Sequence, residues 1–120
     1  MSTGETALGI DPARFWSTVM RSGEIGPGKA GGLRRLALTD ADKEMRDLFI
    51  TWCTEAGCTV AVDRIGNIFA RRPGTDDHLP PVLMGSHLDT QVAGGKYDGI
   101  VGVLAGLEVL RTLDDRRVRT

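Results

Sequence analysis

The sequence predicts an α/β fold, on three observations. Helical signals open at Asp11-Pro12, at Thr39 and near Gly99. Three short apolar or β-branched runs, Thr59–Val62, Asn67–Arg71 and Val82–Gly85, have the length of strands. Sixteen glycines in 120 residues punctuate these segments, about 13% against a typical ~7%. A composition 41% hydrophobic and 26% charged is globular, and the length suffices for one core.

The first ten residues read as a flexible tail. Asp11 then serves as N-cap and Pro12 as first residue of a short helix lined on one side by Phe15, Trp16 and Val19. Gly23 to Gly32 holds five glycines and a proline, so no helix crosses it. Thr39-Asp40-Ala41-Asp42 resembles a capping box with Asp for the usual Glu, and its acidic residues suit the helix dipole. Met45, Leu48, Phe49, Trp52 and Ala56 follow at helical spacing, and Gly57 is the natural stop. Such a stripe reads as core.

Thr59–Val62 and Asn67–Arg71 pair as a hairpin around Ile65-Gly66-Asn67, and Pro73–Pro81 is a polar loop. Val82–Gly85 reads as a buried strand. The last helix runs from about Gly99 to Leu113, apolar nearly all round until Glu108. Gly102 and Gly106, four apart, leave it a smooth face for close packing. Asp114 to Thr120 reads as a solvated end.

A net charge of −1 argues against a partner held through its phosphates, so no nucleic acid is expected. The longest apolar stretch, Ile100 to Leu107, falls far short of the roughly 20 residues that cross a bilayer. No signal peptide is readable, which makes a soluble, cytoplasmic chain the expectation. Cys53 and Cys58 lack the spacing of a redox or zinc pair and read as reduced, packed thiols.

Chemistry concentrates in residues 85–99, between a strand and a helix, where open α/β sheets bind ligands. His87 and Asp89 are two apart and share a face in extended backbone. A carboxylate that takes an imidazole N–H fixes the tautomer and makes the other nitrogen a better metal ligand. Gly94-Gly95 lets the chain fold back and bring Asp98 to the same point, where Asp98 either caps the last helix or bridges two cations. His-x-Asp alone is a weak signal, and the glycine pair and Asp-Gly at fixed distance strengthen it. His78, in a polar loop, reads as a surface histidine.

The segment GSHLDTQVAGGKYDGIVGVLAGLEVL closely resembles the signature of the metal-dependent amidohydrolases that include N-carbamoyl-L-amino-acid hydrolases, allantoate amidohydrolases and microbial β-ureidopropionases, relatives of the di-zinc aminoacylases and exopeptidases. GGLRRLALTDADKEMRDLF and VDRIGNIFARRPG resemble the same family's N-terminal region, so the likeness covers nearly all of residues 11–120. The eleven-residue separation of His87 and Asp98 resembles the carbamoylase and allantoate branch.

The resemblance implies the N-terminal part of a di-zinc-exopeptidase-like catalytic domain, with helices packed on a central mixed sheet. It implies His87 as a ligand of one metal ion, Asp98 as the bridge between two, and Asp89 as the active-site carboxylate that orients His87. The cofactors implied are two divalent ions, zinc or else manganese, cobalt or nickel. The substrate implied is a small ureido or amide compound. The family pattern continues with paired glutamates, further histidines and a second domain. Glu5, Glu24, Glu44, Glu55 and Glu108 do not replace that pair. The expectation is therefore a chain without turnover by itself, completed by more polypeptide or by a complementing chain, or else a non-catalytic fragment that binds a partner chain, with a homodimer as a further carry-over.

Overall fold

The computed structural model describes residues 8–120. Most of the expected tail, with Glu5, lies outside the described residues; Leu8 and Ile10 are exposed coil.

Helix α1 (Pro12–Ser22) is capped by Asp11, whose carboxylate accepts the Arg14 amide at 3.0 Å. Pro12 stands where its missing N–H costs nothing. Val19 is buried and Phe15 packs against the core. Trp16 departs from the expected stripe: it is 54% exposed and pairs with Tyr97, ring centroids 6.1 Å apart. Helix α2 (Asp40–Glu55) is capped by Thr39, whose Oγ1 accepts the Asp42 amide at 3.3 Å. The Asp42 carboxylate reaches back past the cap to the Leu38 amide, 3.0 Å. Met45, Phe49 and Cys53 are buried, and Leu48, Trp52 and Ala56 pack beside them. Gly57, at φ +81°, ends the run.

Strands β1 (Thr59–Val62) and β2 (Ile68–Arg71) form an antiparallel hairpin, registered from Thr59↔Arg71 to Val62↔Ile68. Asp63 organises its turn by accepting the amides of Ile65 (3.1 Å) and Asn67 (2.8 Å) and the Asn67 side chain. Among the described residues this hairpin is the whole sheet, two strands with three helices, in keeping with the incomplete N-terminal part of an α/β domain that was expected.

The third expected strand, residues 82–85, is extended coil with Val82 and Leu83 91% and 78% exposed. No neighbouring strand lies beside it to share a hydrogen-bond ladder, so neither pairing nor burial follows. It runs instead along the glycine face of α3 (Ile100–Asp115). A Cβ on Gly102 would stand 2.9 Å from that of Ser86, and one on Gly106 3.6 Å from that of Met84.

On its other side α3 sends Ile100, Leu104 and Leu107 into the core and buries Glu108. Arg14 donates to both Glu108 oxygens, at 2.7 and 2.9 Å, and the Asp11 amide adds a third bond at 3.1 Å. Burial alone would raise the Glu108 carboxyl. The bonds from Arg14, Asp11 and Thr112 outweigh it and hold the group below the usual range. The charged end is exposed, as expected, apart from half-buried Val118, and it is also tied down: Asp114 and Asp115 belong to α3 and pair with Arg72 (2.8 Å) and Arg14 (2.7 Å). Arg72 also donates to the Val118 carbonyl.

Cys53 and Cys58 are free and buried, as expected. Accessible surface totals 8402 Å², against about 6300 Å² for a folded monomer of this mass. Among the described residues no helix is long and apolar enough to cross a membrane.

Candidate metal centre

Leu33 to Arg35 is extended, and it anchors the loop that carries the candidate residues. Leu33 and Gly94 exchange both backbone hydrogen bonds at 2.8 Å. Two residues on, the Thr90 amide donates to the Arg35 carbonyl (2.7 Å) while the Arg35 amide donates to Thr90 Oγ1 (2.8 Å). The approach is so close that a Cβ on Gly94 would sit 2.6 Å from that of Thr90.

Beyond this anchor the chain turns at Gly99, φ +73°, into α3. The His87 imidazole lies against Gly99 where a Cβ would otherwise be, far inside the 3.0 Å that real Cβ atoms respect. The fold thus brings His87 to the residue next to Asp98. His87 Nδ1 faces two acceptors on Asp89, the backbone carbonyl at 2.9 Å and Oδ1 at 3.2 Å. With only acceptors on that side, a proton belongs on Nδ1, which in a neutral imidazole leaves the lone pair on Nε2. Both side chains are about half exposed.

Asp98 is exposed, and the capping role open to it is not taken up: Gly99 is the N-cap of α3, with no side-chain cap. Among the described residues no three His, Cys, Asp or Glu side chains converge closely enough to hold a metal ion. A catalytic zinc usually takes three protein ligands and a water. His87 and Asp98 by themselves fall short of that number, while imidazole and carboxylate are donors of the type that divalent cations take. His78 is exposed in its loop and takes no part. A hollow of about 550 Å³, lined in part by Arg14, Trp52, Glu55, Arg111 and Asp114, lies apart from these residues.

Sequence reasoning passed over Arg35, which is fully buried. Its Nε donates to the Leu88 carbonyl (2.9 Å) and its Nη1 to the carbonyls of Ser22 (2.8 Å) and Ile25 (2.9 Å), where α1 ends. Burial lowers its pKa, opposed by the charges of Asp42 and Asp89. The alternation of Leu33 and Arg35 about exposed Arg34 would have placed an arginine on the inner face.

No family model matches the chain. The N-carbamoyl-L-amino-acid amidohydrolase of Rhizobium meliloti is 52% identical over 111 residues, 92% of this chain and 27% of that protein. Its namesake in Geobacillus stearothermophilus is 40% identical over 111 residues, again 92% and 27%. Ureidoglycolate hydrolase of Arabidopsis thaliana is 32% identical over 108 residues, 90% and 23%. Among solved structures, a hydantoinase/carbamoylase family amidase from Burkholderia ambifaria superposes with a TM-score of 0.92 at 57% identity, over 94% of this chain and 28% of that one. One from Burkholderia vietnamiensis gives 0.94 at 49% identity, over 97% and 28%. The chain spans about a quarter of the length of the relatives it matches.

Proposed function

We propose, for a chain that corresponds in sequence and in fold to the N-terminal portion of the hydantoinase/carbamoylase amidases, that it supplies one side of a metal-dependent centre for carbon–nitrogen bond hydrolysis. The substrate class is an N-carbamoyl amino acid or an allantoate-like ureido compound, as the names of the relatives suggest. One observation carries the reading: the His87 ring, held by Asp89 at Nδ1, is seated on Gly99, the residue that follows Asp98 in the chain.

In this reading His87 Nε2 and the Asp98 carboxylate are ligands, and Asp89 holds the proton on Nδ1. Two bound divalent cations, zinc or else manganese, cobalt or nickel, would acidify a water and polarise the scissile carbonyl. Gly99 contributes space, since any side chain there would push the imidazole away. The general base and the remaining ligands belong to polypeptide beyond these 120 residues, so the chain by itself has no turnover.

The first measurement is the intact mass of the protein as its own cell makes it. A product several-fold heavier than 12.9 kDa is assayed directly on carbamoyl amino acids and allantoate with zinc or manganese; a product of 12.9 kDa is assayed with candidate complementing chains. Hydrolysis lost in His87→Ala and Asp98→Ala supports the reading. Full turnover in either variant, or turnover by the purified 120-residue chain alone, overturns it.

A further inference from the structure

We propose that Arg35 is the positioning residue of this centre, holding the His87–Asp89 pair in the geometry that frees Nε2. The inference rests on the metal-centre reading for its functional meaning, but its structural content is independent of it. Arg35 grips the residues on both sides of Asp89. Its Nε–H holds the Leu88 carbonyl at 2.9 Å, its backbone N–H holds Thr90 Oγ1 at 2.8 Å, and its backbone carbonyl holds the Thr90 amide at 2.7 Å. With 88 and 90 fixed, Asp89 has little freedom, and its carbonyl and carboxylate both face Nδ1 of the His87 ring that rests on Gly99.

The far end of the same side chain is tied down as well. Nη1 is held by the Ser22 and Ile25 carbonyls, so the guanidinium joins the end of α1 to the loop as a rigid strut. Nη2 is buried without a hydrogen-bond partner, an expensive arrangement for a charged group in the interior. An apolar residue would fill the space at lower cost, but it would leave the carbonyls of Leu88, Ser22 and Ile25 unbonded and the loop free. A lysine keeps the charge but lacks the planar fork that reaches Leu88 and the α1 carbonyls together.

The test uses the protein as its cell makes it, with Arg35→Lys, Thr90→Val and, as a stability control in the core, Met45→Ala. Two readouts are taken below every melting temperature: the imidazole nitrogen signals of His87 by NMR, and zinc affinity by chelator competition. In Arg35→Lys the His87 nitrogens are expected to leave the single Nδ1–H form, and zinc to bind about 10–100-fold more weakly. Met45→Ala should lower the melting temperature with both readouts unchanged. Thr90→Val removes the bond to the residue 35 amide while keeping side-chain shape, and if Arg35→Lys does not fold, Arg35→Met, which keeps the stem and removes every donor, is read in its place. Variants that melt earlier yet keep wild-type His87 signals overturn the proposal and leave Arg35 a structural residue. If the wild type takes up no zinc while the His87 signals still shift, the metal reading falls and the positioning role stands.

Discussion

The imidazole of His87 occupies the space over Gly99 that a side chain at that position would fill. The glycine that follows Asp98 thus leaves room for the ring and adopts the φ of +73° at the start of α3.

Gly99→Ala is accordingly expected to be costly twice over. The backbone conformation alone should destabilise the chain by about 1–3 kcal/mol, and the new methyl must displace the His87 ring. Thermal melting should fall and zinc uptake should be lost together. Unchanged zinc affinity in a folded Gly99→Ala protein would show that His87 does not need this seat.

The Glu108 carboxylate, gripped by Arg14 and the Asp11 amide, predicts a specific pH dependence. Its folded pKa lies below the ordinary value of about 4.5. The group therefore adds stability above that value and loses it as pH falls through the folded pKa. Glu108→Gln should cost about 1–3 kcal/mol at neutral pH. The gap between wild type and variant should close on acidification below about pH 4.5, as read from melting temperatures across the acid range. A gap that stays constant with pH would mean the pair contributes nothing through ionisation.

Local rules carried most of the secondary structure. Asp11-Pro12, Thr39 with Asp42, Gly57 and Gly66 each act through near neighbours, and each stands where its chemistry requires. The misses depend on partners distant in sequence. Residues 82–85 have the composition of a buried strand but no strand beside them. Glu108 looked like the polar limit of an apolar helix, and only Arg14, 94 residues away, makes its burial tolerable. Within the site, the two-residue step from His87 to Asp89 was readable. The dependence of that step on Arg35, 53 residues from Leu88, was not.

Burial, with the neighbouring Cys58 adding to it, pushes the Cys53 thiol up to about 12. At pH 8 its thiolate fraction is then about a thousand-fold below that of an ordinary cysteine. Iodoacetamide should leave Cys53 intact in the folded chain and modify it readily in denaturant, with peptide mass mapping as the readout. Rapid native alkylation would mean that α2 opens on the timescale of the reaction.

Val82, Leu83 and Met84 are three consecutive exposed apolar residues, and among the described residues their backbone has no strand partner. Exposed backbone and exposed aliphatic side chains together favour association, because a second strand satisfies both at once. The isolated 120-residue chain should therefore sediment as a concentration-dependent mixture. Leu83→Lys should shift it toward monomer: the side chain is 78% exposed, so the substitution costs the core nothing, while a charge there opposes strand pairing. In a longer polypeptide that already covers this segment, the same substitution should instead lower the melting temperature. An isolated chain that remains monomeric at high concentration would show that the glycine face of α3 shields residues 82–86 from pairing.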